Sequence, residues 1–264
     1  MTSAAEMNPD WGMLQAFKKA KSKVEEESPW QSSGGPTTTP GPYSAHRWSP
    51  YSFEGGTIAA IAGEDFAVVA SDGRHSINES AILSRQARKL YIQNEKTVLG
   101  GCMFSADLLQ LDKVLTAKGM QFAFDYNEVM SVDMVANFLA RSLYGRRFFP
   151  YYAWTIMAGV DSKGKGAAYS YDPIGCLERV PFVVAGSGRN MIEPIMDNQV
   201  SQCTMDLEAI GGRTPMTLER ATTLLKDAFI AAAERETATG DRIEIIVIQA
   251  GKKPVQEFIP LRED

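Results

Sequence analysis

Gly55-Gly56-Thr57-Ile58-Ala59-Ala60-Ile61-Ala62-Gly63-Glu64-Asp65-Phe66-Ala67-Val68-Val69-Ala70-Ser71-Asp72-Gly73-Arg74 is the stretch whose reading decides the fold. Two runs of small and β-branched residues flank Gly63-Glu64-Asp65, where glycine and acidic residues supply the backbone freedom of a tight turn. The pattern predicts a hairpin. Because the apolar runs are unbroken, both strands are expected to be buried on both faces. A Gly-Thr step opens the first strand, and Asp72 and Arg74 close the second.

Working outward toward the N-terminus, residues 1–46 differ in composition from the rest and read as an extension. Gly12 to Glu27 could form a marginal helix, with Met13, Leu14 and Phe17 on one face and Lys18, Lys19, Lys21 and Lys23 beside them. The run Ser32-Ser33-Gly34-Gly35-Pro36-Thr37-Thr38-Thr39-Pro40-Gly41-Pro42 is a low-complexity linker, too poor in apolar residues to offset chain entropy. The compact domain is expected over 47–264, starting at Arg47-Trp48-Ser49-Pro50-Tyr51.

Toward the C-terminus, Lys89 to Ile92 and Thr97 to Cys102 read as a second strand pair turning at Asn94-Glu95-Lys96. Ser105 is the expected N-cap of a helix running toward Ala123, with Leu108, Leu109, Leu111, Val114 and Leu115 on its apolar stripe. Ser131 caps a second helix, which ends near Arg146-Arg147, cations favoured at a helix C-terminus or at a subunit contact. Strand patterns return at 152–160, 166–171 and 181–185. Between the first two, Asp161-Ser162-Lys163-Gly164-Lys165 lacks the Gly-Lys-Ser/Thr ending of a phosphate-binding loop and reads as a hairpin turn. Helices are expected over 190–202 and 217–234, and a closing hairpin over 243–248 and 255–259. Strands, two helices, strands, two helices, strands is the order of an α+β layered sandwich rather than of an alternating parallel sheet.

Composition narrows the chemistry. A chain of 264 residues with 44% hydrophobic content and a net charge of −5 has no global pull toward nucleic acid or an anionic membrane, and neither is expected as a partner. Cys102, Cys176 and Cys203 are odd in number and far apart, so a reduced, intracellular compartment is expected. His46 and His75 are the only histidines, which argues against a metal centre or a serine triad, and no cofactor is expected. Gly186-Ser187-Gly188 reads as a strand-to-helix turn. One remaining way to activate a hydroxyl is a threonine at a newly exposed chain terminus, whose own α-amine takes the proton. Gly56-Thr57 offers that bond.

Several segments then carry a resemblance. They are Arg47-Trp48-Ser49-Pro50-Tyr51, Ala62-Gly63-Glu64-Asp65-Phe66, Leu143-Tyr144-Gly145-Arg146-Arg147-Phe148-Phe149-Pro150-Tyr151-Tyr152, Met196-Asp197-Asn198-Gln199-Val200 and Thr239-Gly240-Asp241. From Arg47 onward the chain resembles the β subunits of the 20S proteasome core particle, and among them a class that does not cut. The resemblance implies the four-layer αββα sandwich of N-terminal-nucleophile hydrolases. It also implies partners: β subunits of the same and the opposite ring, α-ring subunits, and regulatory particles indirectly, in cytoplasm and nucleus.

Active members place a terminal threonine ahead of an Asp-x-Arg strand end, a lysine, and a serine in a Gly-Ser-Gly turn. Asp72, Lys89 and Ser187 match in type. Counting back from Asp72, the nucleophile position falls on Gly56, and Thr57 lies one residue late, which on a strand turns a side chain to the other face. Glu236 and Thr239 replace an expected aspartate and serine. The expectation is therefore a degenerate site in a structural subunit, with Asp72 and Lys89 kept as a buried ion pair. The rival readings are an active threonine endopeptidase with Thr57 as nucleophile after cleavage at Gly56-Thr57, and a stand-alone amidohydrolase of the same fold.

Overall fold

The structure is a computed structural model that describes residues 51–77, 80–203, 205–206, 208 and 212–262. The basic helix and linker expected before residue 47, and the boundary there, lie outside these residues.

The opening hairpin forms as expected from β1 (Thr57–Ala62) and β2 (Phe66–Asp72), paired antiparallel from Ile58↔Ser71 to Ala62↔Ala67. A short hairpin of β3 (His75–Ile77) and β4 (Ala81–Ser84) follows. Next come β5 (Leu90–Asn94), β6 (Thr97–Met103), α1 (Ser105–Tyr126) and α2 (Val132–Tyr144). The second half contributes β7 (Ala153–Val160), β8 (Gly166–Tyr171), β9 (Leu177–Val180) and β10 (Phe182–Gly186). It ends with α3 (Arg189–Met196), α4 (Leu218–Ala233), β11 (Arg242–Gln249) and β12 (Val255–Pro260). Residues Asp197–Ser201 extend α3 as a π turn.

Two five-stranded antiparallel sheets stack, in the orders β10-β1-β2-β11-β12 and β5-β6-β7-β8-β9. Side-chain alternation along β1 and β2 then makes the layers. Ile58, Ala60, Ala67 and Val69 point between the sheets, against Leu90, Val98, Ile156 and Ala158. Ala59, Ile61, Val68 and Ala70 point the other way, onto Ile192 of α3 and Leu225 and Phe229 of α4. Leu99, Met157 and Tyr169 face outward from the second sheet onto Leu111 and Leu115 of α1 and Leu139 of α2. Each strand of the opening hairpin thus feeds two cores, which is why residues 58–62 and 66–70 are apolar throughout. The result is a helix-sheet-sheet-helix sandwich.

The cap expected at Ser131 forms, and the structure adds a second at Thr217. Ser131 Oγ accepts from the Met134 amide at the head of α2, and the Thr217 hydroxyl accepts from the Arg220 amide at the head of α4. The cap expected at Ser105 is corrected: Ser105 is the first residue of α1, the flanking Phe104 makes no side-chain cap, and the Ser105 amide donates to Glu54 Oε2 at 2.6 Å. The strands β3, β4 and β9 are absent from the sequence reading because they are three or four residues long, below the length at which alternation registers.

One carboxyl sits in the inter-sheet layer. Glu244 is 2% exposed, opposite Ser71 on β2, and accepts from Gln256 Nε2 at 2.6 Å. Burial raises its pKa, against the opposing pull of the Gln256 bond and of Arg88, Arg242 and Lys89. A carboxyl held above its unfolded value favours folding while protonated, and that contribution is lost as pH rises through the folded value. Glu244→Gln is therefore expected to melt higher than the parent at neutral pH, the gap closing as pH falls into the ordinary carboxylate range. Paired thermal melts across that window measure it.

Candidate functional site

The end of β2, the start of β1, the residue before β5 and the loop before β11 meet at one carboxylate. Asp72 Oδ1 accepts from the Thr57 amide at 2.7 Å and from Lys89 Nζ at 2.7 Å, while Oδ2 accepts from the amides of Arg74 at 2.9 Å and Gly240 at 3.4 Å. Lys89 Nζ donates further to the carbonyls of Asp72 and Arg74. Asp72 is fully buried and Lys89 is 5% exposed, so the ammonium has exchanged water for three protein oxygens. A buried charge pair that keeps every hydrogen bond satisfied holds its geometry; removing one partner strands the other.

Where the nucleophile would stand, the structure has Gly56. Its φ of +87° is a conformation that favours glycine, and a Cβ built there would lie 2.6 Å from Lys89 Nζ. Gly56 therefore faces the lysine and brings no hydroxyl to it. Thr57 points elsewhere. Its Oγ1 accepts from the Gly188 amide at 2.8 Å and lies 2.7 Å from Thr239 Oγ1, with Ser187 Oγ 3.3 Å beyond. This buried chain of hydroxyls ties β1 to the Gly186-Ser187-Gly188 turn and to the loop before β11. The Thr57 nitrogen lies on the Asp72 side and donates to that carboxylate.

The structure thus brings Gly56, Thr57, Asp72, Lys89, Ser187 and Thr239 together and leaves Glu236 aside. Glu236 Oε1 accepts from the Ala238 amide and closes the loop after α4. Arg74 is spent on Asp241, with Nε and a terminal nitrogen on the two carboxylate oxygens at 3.0 and 3.2 Å, and Arg85 bonds the same acid.

Residues before Gly56 occupy the cleft. The Glu54 amide donates to the Met103 carbonyl at 3.2 Å, the Met103 amide donates to Gly55 O at 3.3 Å, and the Ser76 amide donates to Glu54 O at 3.0 Å. This extended segment pairs with the end of β6 on one side and with β3 on the other. The Glu54 carboxylate adds bonds from Ser52 Oγ and the Ser105 amide and lies 2.7 Å from His75 Nε2. Burial alone would raise its pKa, but the Ser105 and His75 contacts hold it below the ordinary value. A cavity of about 20 Å³ remains beside Lys89, lined by Glu54, Gly55, His75, Cys102 and Leu108 among others. That is room for about one water. Burial pushes the Cys102 thiol up to about 12, against the pull of Lys89, so it is no thiolate at neutral pH. No group of three His, Cys, Asp or Glu among the described residues could hold a metal ion.

Sequence reasoning missed Glu54 and Asp241. Each is an acid in a loop with a partner far along the chain, Ser105 at 51 residues for Glu54 and Arg74 at 167 for Asp241, so spacing does not mark the pairing.

Comparison with known proteins agrees with this architecture. Residues 52–248 match the family model for proteasome subunits. The chain is 46% identical to proteasome subunit beta type-1 of Caenorhabditis elegans over 94% of this chain and 93% of the relative. It is 44% identical to the subunit of the same name in Danio rerio, over 83% and 90%, and 40% identical to that of Arabidopsis thaliana, over 82% and 97%. The chain belongs to the proteasome subunit family. Its relatives carry the name of the subunit class to which the sequence resemblance points. Membership means that it assembles with other proteasome subunits of a protease complex.

Replacing Asp72 by alanine leaves Lys89 buried without its counter-charge and frees two amides on Oδ2. The expected loss is about 3–5 kcal/mol of stability, read as a fall in the denaturant midpoint of the refolded subunit. A loss under about 1 kcal/mol, the worth of a surface pair, would show that Asp72 does not organise this site.

Proposed function

We propose that this chain is a non-catalytic β subunit of the 20S proteasome core particle, supporting intracellular protein degradation by building the ring. The observation that carries the reading is the pair of orientations at the head of β1: Gly56 faces Lys89 without a nucleophile, and the Thr57 hydroxyl is committed to Gly188 and Thr239. An N-terminal threonine mechanism needs hydroxyl, α-amine and lysine on one side of the chain. Here they are divided between two consecutive residues.

The partners are β subunits of the same and the opposite ring and α-ring subunits, with regulatory particles reached through the latter. The compartments are cytoplasm and nucleus. Asp72, Lys89, Ser187 and Thr239 then serve as structural ties that lock β1 onto its neighbours.

The test is the intact mass and N-terminal sequence of this subunit taken from the assembled particle after treatment with a threonine-directed covalent inhibitor. The subunit is expected to carry no adduct, whichever residue it starts at, while catalytic subunits of the same particle are labelled. An adduct on Thr57 as the first residue would make it a threonine endopeptidase subunit and overturn the proposal.

A further inference from the structure

The turn that follows α2 carries strongly exposed aromatic rings, and no role in the site accounts for it. Residues 144–150 are all exposed. Phe148 is 98% exposed, and Tyr144 and Phe149 are 64% each. Rings are rarely left in water to this degree unless another surface covers them.

The stretch is not loose. The amides of Arg146, Arg147 and Phe149 donate to the carbonyls three residues back at 2.9–3.0 Å, giving consecutive turns. The Tyr152 amide donates to Asp107 Oδ2 of α1 at 2.7 Å. Tyr51 packs its ring against Phe104, Phe149 and Tyr152, with centroids 5.6–6.0 Å apart. The aromatic rings are thus held on a fixed base.

The charges are unbalanced in the same place. Arg146 lies over the Tyr151 ring at 5.3 Å and Arg147 over Phe148 at 6.0 Å, and Arg141 lies one turn earlier on α2. None of the three meets a carboxylate in an ion pair among the described residues, although the chain as a whole carries a net charge of −5. Other exposed arginines do find one, as Arg189 does with Glu193 and Arg262 with Glu234. Arginine stacked on an aromatic ring keeps its bidentate face free for a carboxylate, and arginine with aromatics is the composition of interface hot spots.

We infer that Arg146, Arg147, Phe148 and Phe149 form a docking surface for an acidic segment of a neighbouring proteasome subunit, its carboxylates on the guanidinium groups and its apolar side chains on the rings. This rests on the reading of the chain as a ring-building subunit. The preformed turn lowers the ordering cost of the contact, and the opposite charges select among the similar surfaces that a hetero-oligomeric ring presents.

Phe148 replaced by the photoreactive benzoylphenylalanine, in the full chain incorporated into the particle, tests the surface directly. The expected result is one cross-link to one other subunit, on a peptide containing Asp or Glu. The double substitution Arg146→Glu with Arg147→Glu is expected to lower incorporation about tenfold or more. Replacing the acids of the cross-linked peptide by lysine should restore it. Because both arginines are exposed, the variant chain should keep the parent's circular dichroism and melting temperature. An incorporated chain that cross-links to no subunit, or only to a peptide without acidic residues, overturns the docking surface while leaving the ring-building role intact. A parent chain that never enters the particle overturns the ring-building role itself.

Discussion

The carboxylate of Asp72 is the constraint on which the rest of the molecule depends. Four donors reach it from four parts of the chain: the start of β1, the turn after β2, the lysine before β5 and the loop before β11. A carboxylate accepts several charge-assisted bonds at once, and in a dry interior each is worth more than at the surface. The same dryness makes the arrangement all or nothing, since an unpaired ammonium at Lys89 would cost several kcal/mol. The meeting point of two sheets is therefore fixed by electrostatics and the rest of the sandwich by apolar burial.

From that point the register of β1 determines the chemistry. With the Thr57 amide on Asp72, Gly56 is the residue that looks at Lys89, and the threonine hydroxyl looks at Gly188 and Thr239. The Thr57 hydroxyl instead joins the head of β1 to the turn at Gly188 and to the loop before β11. A catalytic layout of this kind needs a reactive hydroxyl left under-satisfied and open to substrate, whereas here the hydroxyl is buried and bonded on both sides. The extended segment at Glu54 and Gly55 completes the change, because its backbone pairs with Met103 and Ser76 across the cleft. Met103 itself has φ of +87°, an uncommon value for a residue with a side chain, and the two bonds to the segment help hold it there.

Function then moves from the interior to the surface. A ring subunit is selected for faces that recognise neighbours, and such faces are built from rigid turns carrying aromatics and arginine. The stretch after α2 has that composition. Its exposure excludes the core of this domain. Burial of a ring against its own domain or against another chain draws on the same residue types, so composition does not separate the two.

Much of the architecture was legible in the chain itself. The unbroken runs in β1 and β2 announced strands buried on both faces, α2 came with its cap at Ser131, and the clustering of strands and helices implied the layered sandwich. These are local signals, carried by periodicity and turn chemistry within a few residues. The one-residue offset at Gly56-Thr57 was also visible, by counting along a strand. What only the tertiary structure decided is where the polar groups find partners. That the head of α1 is capped by Glu54 rather than Ser105, that Arg74 is taken by Asp241, and that the Thr57 hydroxyl joins Thr239 all depend on contacts across 51 to 182 residues. Hydrogen bonds and ion pairs are set by distances of a few ångströms between atoms brought together by packing, and sequence spacing carries no record of those distances.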